Sequence, residues 1–326
     1  MKLVKREFNG VFAGHIVGFI NKKHAMGYDY REGAYIMYSF EKFCIKYFPE
    51  VSVLNQEITL KWAEKRDMEK SSCQLNRISV VREFARYMNS IGIPSYVIPL
   101  GFHKKFQANE RLVPHIYTKD ELTAIFSAAD KYAYQRKSPA MHLVIPVIFR
   151  LMYCCGLRPV EARRLHIEDV NLTSGCIKIV ESKGHKDRIV VMSDDMLKLA
   201  RQYNTKVEQI YPNREYFFQS RTGKMYSEPW STDNFKKLLI SAGLHREYGK
   251  NPREYDLRHT FATHRLYKWL QDGENINACL SYLSEYMGHA KLSSTMYYIH
   301  LVPEFYPKMI ELGLESSINI IPDMPL

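Results

Sequence analysis

The chain has 326 residues, 46% of them hydrophobic, and its 46 Lys and Arg against 35 Asp and Glu give a net charge of +11. That length and apolar content exclude a broadly disordered chain and predict two cores rather than one. The basic surplus points to a polyanion partner, nucleic acid first among them.

The six cysteines, Cys44, Cys73, Cys154, Cys155, Cys176 and Cys279, form no C-x-x-C pair and read as buried free thiols in a reducing compartment. The histidines show no H-E-x-x-H or Cys/His ligand spacing, so no metal site is expected. Residues 1–12 lack the apolar core of a signal peptide. The most apolar run, 141–155, contains His142, Pro146 and Arg150 and is too short and polar to span a bilayer. A cytoplasmic protein is expected, with no membrane partner.

Four helices are predicted in the first third. Residues 12–26 place Phe12, Ile16, Phe19 and Ile20 on one face. Residues 30–48 follow, ended by Pro49, and residues 58–68 form a shorter helix around Trp62. Residues 71–91 repeat Val80, Val81, Phe84, Tyr87, Met88 and Ile91 at helical spacing, and Gly92 and Pro94 stop them. Arg77, Arg82 and Arg86 read as lying off that stripe, where a helical bundle can grip a duplex backbone. Residues 99–115 have no apolar period and hold Gly101, Lys104, Lys105, Arg111 and Pro114, which reads as a basic linker.

A capping box, Thr118-Lys119-Asp120-Glu121, opens the second region. A buried helix over 139–155 ends at Gly156, and Pro159 suits the first position of the next helix. Residues 176–180 and 189–192 alternate as two strands, joined by a polar tip holding Lys183, Gly184 and Lys186. Helices follow over 193–210, 231–242, 256–270 and 277–287, with a possible short strand at 216–219. Gly288 suits the left-handed residue that closes a helix. Ser293 is placed to cap the next one, with Tyr297 and Tyr298 on it. No internal repeat or low-complexity block is visible.

Polar clusters punctuate this region. Arg158 sits where a helix begins, a position that favours anions and adds a bidentate guanidinium, with Glu161 one turn on to orient donors. Lys183, Lys186 and Arg188 surround the hairpin tip, where cations can meet a DNA backbone. Tyr255 and Arg258 share a helix face, and His259 and His264 follow. Taken singly, each cluster also fits an ordinary surface or a packed core.

In order, Gly156-Leu157-Arg158-x-x-Glu161, Ser182-Lys183-Gly184-x-Lys186-x-Arg188, Asp256-Leu257-Arg258-His259-Thr260-Phe261-Ala262-Thr263-His264 and Met287-Gly288-His289-x-x-Leu292-Ser293-Ser294-Thr295-x-x-Tyr298-x-His300 resemble the tyrosine recombinases, the phage-integrase and Xer-type enzymes. The resemblance runs from residue 117 to about 300. It implies a mostly α fold with a small antiparallel sheet in an α+β catalytic domain over 117–326. Ahead of that it implies a helical, SAM-like core-DNA-binding domain over 1–100 and a linker over 101–116.

The resemblance also implies roles. Arg158 and Arg258 would clamp the scissile phosphate, Lys183 would protonate the leaving 5′ oxygen, and His289 would donate a hydrogen bond to the phosphate. Tyr298, nine residues after His289, would attack and form a 3′-phosphotyrosyl bond. Glu161 and His259 would support the site. Lys186, Arg188, Arg77, Arg82, Arg86, Lys104 and Lys105 are the candidate DNA contacts. No metal, nucleotide or other cofactor is implied, because the covalent bond conserves the energy of the phosphodiester. The implied partners are double-stranded DNA and a homotetramer on two recombination sites, with accessory DNA-bending or directionality factors and a C-terminal tail that docks in cis or in trans.

One position departs from the pattern, since Tyr255 stands where the family usually has histidine. A phenol keeps the hydrogen bond but does not shuttle protons near neutral pH. A nicking-and-resealing enzyme of the type IB topoisomerase kind, and a DNA-binding protein that no longer cuts, remain alternative readings.

Overall fold

The computed structural model describes residues 7–100, 113–180, 187–246 and 251–299. The chain divides into two compact units, Met1–Leu112 and Val113–Leu326.

The first unit is built from α1 (Ala13–Ala25), α2 (Arg31–Tyr47), α3 (Gln56–Ala63) and α4 (Ser71–Ser90). Their apolar stripes meet in one core of Phe12, Ile16, Phe19, Met37, Phe40, Trp62, Val81, Phe84 and Met88. Aromatic rings set its geometry: Phe40 meets Trp62 edge-on at 5.1 Å and Phe19 meets Phe84 at 5.6 Å. Such pairs add about 0.5–1.5 kcal/mol each beyond burial. Helix α3 stops at Ala63, short of the sequence expectation, and Met68 takes a left-handed φ of 58° in the turn that follows.

Arg77 corrects the sequence reading. It is only 4% exposed, and its Nε and Nη2 donate to the two carboxylate oxygens of Glu69 at 2.7 and 2.9 Å. Its remaining donors reach the carbonyls of Trp62 and Glu64. These carbonyls lie at the end of α3, where no further helical N–H can meet them. Arg77 therefore joins α3 to α4 and is not presented to a duplex.

The second unit is centred on α6 (Met141–Cys154), whose apolar surface packs against α5 (Lys119–Asp130), α7 (Pro159–Arg164), α8 (Asp194–Ile210) and α10 (Asp256–Gln271). The capping box of α5 is present, with Thr118 and Glu121 bonded reciprocally. Strands β1 (Cys176–Ile179) and β2 (Arg188–Val191) form one antiparallel pair, with Ile179 opposite Arg188. The expected strand at 216–219 is reduced to isolated bridges, His166 with Tyr216 and Gln219 with Met225. Helix α9 (Glu228–Ser241) begins earlier than its apolar pattern suggests, because Ser227 caps it and Pro229 falls within its first two positions. Helices α11 (Ile276–Met287) and α12 (Ser293–Met296) complete the described chain.

A second apolar cluster, Phe261, Leu266, Leu280, Leu283, Met287, Tyr298 and Ile299, lies beneath α10, α11 and α12. Cys73 is exposed, against the expectation that the thiols are buried, and all six cysteines are free. Among the described residues, no helix is long and apolar enough to cross a membrane.

Candidate active site

Two glycine turns shape the site. Gly156, after α6, has φ +61°, and a Cβ there would lie 2.5 Å from the Phe261 ring. Gly288 closes α11 with φ +62°. Only glycine takes such a backbone conformation without strain. The turns leave the carbonyls of Gly156, Met287 and Gly288 unclaimed by helices, and two guanidinium groups take them.

Arg258, on the first turn of α10, donates to the carbonyls of Gly156 and Met287. Arg158, the residue that opens α7, donates to the Gly288 carbonyl at 2.9 Å. The first and last of these segments are 130 residues apart in sequence. Arg258 is 1% exposed, and burial, then the nearby Arg158 charge, lowers its pKa to about 10. It therefore stays charged at neutral pH.

Glu161 neutralises part of this positive charge. Its Oε1 accepts from Arg158 Nη1 at 2.6 Å and from Arg188 Nη1 at 2.9 Å. Its Oε2 accepts from the Arg158 backbone N–H at 2.8 Å and from Arg188 Nη2 at 2.7 Å. Arg258 Nη1 stands 3.8 Å from Oε2. Burial alone would push this carboxyl up; the Arg188 hydrogen bonds and charge, with Arg258 and the Arg158 N–H, hold it down at about 2.

His289 follows Gly288 in the turn. Its Nδ1 is paired with Thr295 Oγ1 at 2.7 Å, and its Nε2 lies 3.4 Å from Arg258 Nη2. The Tyr298 ring stacks near it, with centroids 6.0 Å apart, and lies 5.6 Å from the His259 ring. Tyr298 is buried, 3% exposed. Burial pushes its pKa up to about 12, opposed by Arg258 and Arg158. Tyr297 is half-buried and meets Tyr298 edge-on. Ser293 is the first residue of α12 rather than its cap, which is Leu292.

Arg158, Glu161, Arg258, His289 and Tyr298 thus come together from four segments. Tyr255 stands at the start of α10, partly exposed, with its ring 5.1 Å from His259. His259 lies between Tyr255 and Tyr298, and its buried Nδ1 has no hydrogen-bond partner among the described residues. Arg188 corrects the sequence reading: it is 8% exposed and bound to Glu161, not held out at a hairpin tip. Lys183, Lys186, Lys104 and Lys105 lie outside the described residues, as does the tail after Ile299. Arg82 is half-buried and donates to the Ile98 carbonyl at 2.7 Å, while Arg86 is exposed and paired with Glu83 at 2.6 Å.

Sequence reasoning missed Thr295 as the partner of His289 and the three turn carbonyls that seat the arginines. It also missed Arg188, whose signal was parity: in β2 it shares the inward face with Val190. A cavity of about 560 Å³ opens beside Arg158 and Tyr255, lined also by Arg163, Phe235, Lys236 and Glu254. Among the described residues, no three His, Cys, Asp or Glu side chains are grouped to hold a metal.

These electrostatics make stability acid-sensitive. Burial, ahead of the neighbouring arginine charges, holds both His259 and His289 at about 4, below the ordinary 6.5. The unfolded chain therefore takes up these protons first, and stability falls as the pH drops from 6.5 toward 4. Glu161 sits below its ordinary 4.5, so its stabilisation is present above 4.5 and is lost as the pH falls toward about 2. That carboxylate alone contributes on the order of 3 kcal/mol. Denaturant midpoints should decline continuously from pH 6.5 downward; a flat midpoint between 6.5 and 4 would show that the histidines are not held neutral.

The phage integrase family profile matches residues 116–304. The y4rB integrase/recombinase of Sinorhizobium fredii is 27% identical over 297 residues, covering 88% of this chain and 91% of that protein. Tyrosine recombinase XerD of Staphylococcus epidermidis is 27% identical over 205 residues, 61% of this chain and 62% of that protein. Among solved structures, XerH site-specific recombinase bound to palindromic difH substrate in a post-cleavage complex superposes with a TM-score of 0.63 at 20% identity, covering 88% and 79% of the two chains. The Tn1549 transposon integrase in complex with transposon right end DNA gives a TM-score of 0.62 at 12% identity, covering 87% and 94%. At these identities the structural likeness speaks for the fold.

Proposed function

The chain belongs to the phage integrase family of tyrosine recombinases, enzymes of site-specific recombination, and from that premise we propose that it cuts and rejoins DNA through a 3′-phosphotyrosyl intermediate. The observation that carries this reading is the convergence of Arg158, Arg258, His289 and Tyr298 on the turns at Gly156 and Gly288.

The chemistry follows from the arrangement. A phosphodiester under attack spreads negative charge over its non-bridging oxygens, and preorganised cations stabilise it most. Arg158 and Arg258 spend some of their donors on carbonyls that fix them, and the rest are available to those oxygens. His289, held by Thr295 through Nδ1, directs Nε2 toward the same place. The Tyr298 oxygen forms a bond to phosphorus as the bond to the 5′ oxygen breaks. The phenol proton passes to one of the neutral imidazoles flanking the ring, and the leaving oxygen takes a proton from Lys183. Attack by a free 5′ hydroxyl on the phosphotyrosyl bond reverses these steps on the new partner strand. Tyr255 keeps a hydrogen-bonding role beside the phosphate and relays no proton. The bond energy is conserved in the adduct, so neither metal nor ATP is required.

The partner is double-stranded DNA, gripped also by the helical unit Met1–Leu112, whose exposed basic side chains include Arg86. A homotetramer on two sites is the assembly this reaction calls for, since two duplexes exchange strands.

The test is covalent trapping. The purified chain, in EDTA and without nucleotide, is incubated with a nicked duplex selected by binding from a random-sequence pool. A denaturation-resistant adduct, with the nucleotide on Tyr298 by mass spectrometry, is expected. No adduct under these conditions, with adduct on adding magnesium or ATP, would overturn the cofactor-free mechanism.

A further inference from the structure

We propose that Arg188 is a positioning residue for strand cleavage, acting through Glu161 rather than through DNA. This rests on the reading of the site given above. Three observations carry it.

The first is saturation. A carboxylate offers about four acceptor positions. Glu161 uses two on each oxygen, and Arg188 supplies one of the two in both cases, at 2.9 and 2.7 Å. Arg158 supplies the other two through Nη1 and its backbone N–H. The carboxylate cannot rotate without breaking a bond, so Arg188 sets the plane against which Arg158 is oriented. Arg258, 3.8 Å away, feels the same fixed charge.

The second is that every nitrogen of the Arg188 guanidinium is engaged inside the protein, three of its five N–H donors in all. Its Nε donates to the Tyr286 carbonyl at 2.8 Å, and it is 8% exposed. A guanidinium whose three nitrogens all bond inside the protein is a poor ligand for a phosphate backbone.

The third is location. Tyr286 lies three residues before His289, and a Cβ on Gly288 would sit 3.1 Å from Arg188 Nη1 and 3.2 Å from Cδ. Arg188 therefore packs on the turn that presents His289. It is also the first residue of β2, opposite Ile179. One side chain thus ties α7, β2 and the end of α11 together.

A double-mutant cycle tests the coupling, read as the rate of covalent adduct formation at saturating nicked duplex. Arg188→Met is expected to slow adduct formation about 100-fold while DNA affinity stays within about threefold. In a Glu161→Gln background the same change should cost less than about threefold, because the group it acts through has been neutralised. Arg188→Lys keeps the charge but not the two-pronged geometry, and should recover about tenfold of the loss. If Arg188→Met does not fold, the cycle is run with Arg188→Lys, expecting about a tenfold loss against less than about threefold. Equal losses in both backgrounds, or a loss confined to DNA affinity, would overturn the proposal. Absence of adduct from the wild-type chain would instead overturn the underlying reading of the site.

Discussion

Replacement of Tyr298 by phenylalanine should reduce covalent trapping of DNA by at least about 10⁴-fold, as loss of a nucleophile does elsewhere, and leave DNA affinity within about twofold. Tyr297→Phe should leave trapping within a few fold. The expectation that both lie on the last helix is not met: α12 ends at Met296, Tyr297 closes it and Tyr298 follows in the turn, so the two rings have different surroundings. Tyr298 is buried beside His259, His289 and Arg258, whereas Tyr297 is half-buried at the edge of the same apolar cluster. The substitution keeps the ring that fills the cluster and removes one hydroxyl, so stability should change by no more than about 1 kcal/mol. Denaturing electrophoresis of the trapped products checks the outcome. Adduct from Tyr298→Phe and none from Tyr297→Phe would reverse the assignment and leave the family standing.

The helices were legible because their apolar residues recur at helical spacing, and the site was legible because its motifs keep their order and spacing. What failed was the reading of individual cations. Arg77 falls off the stripe that Val80 to Ile91 define, yet it stands with Gln74, Ile78 and Val81 on the buried face of α4. Its charge is matched by Glu69 and by two carbonyls at the end of α3, partners that lie elsewhere in the chain and that helical period cannot reveal. Arg188 failed for the same reason on a strand: parity put it inward with Val190, and its partners Glu161 and Tyr286 are 27 and 98 residues away. Thr295 was invisible as a histidine partner because threonine in a turn has many uses. The carbonyls of Gly156, Met287 and Gly288 carry no side-chain signature, although the two glycines mark the turns that expose them.

Arg258→Met should cost both chemistry and fold. Arg258 is among the largest fully buried side chains, and its charge is shared with Glu161 while its donors satisfy two turn carbonyls. Removing it leaves those carbonyls without these donors and part of the Glu161 charge uncompensated in a buried site. Breaking such a network costs about 3–5 kcal/mol, enough to lower the melting temperature by several degrees in a unit of this size. Trapping should fall by about 10³-fold or more in material that remains folded, since the loss falls on charge developed in the transition state. Arg158→Met provides the contrast. Its side chain is 12% exposed and, besides its 2.6 Å bond to Glu161, makes one carbonyl bond where Arg258 makes two, so it should lose trapping to a similar degree with a smaller drop in melting temperature. The ordering separates two duties of the buried cation. If Arg258→Met melted with the wild type, its bonds to the Gly156 and Met287 turns would contribute nothing to the fold, and Arg258 would be held there for the phosphate alone.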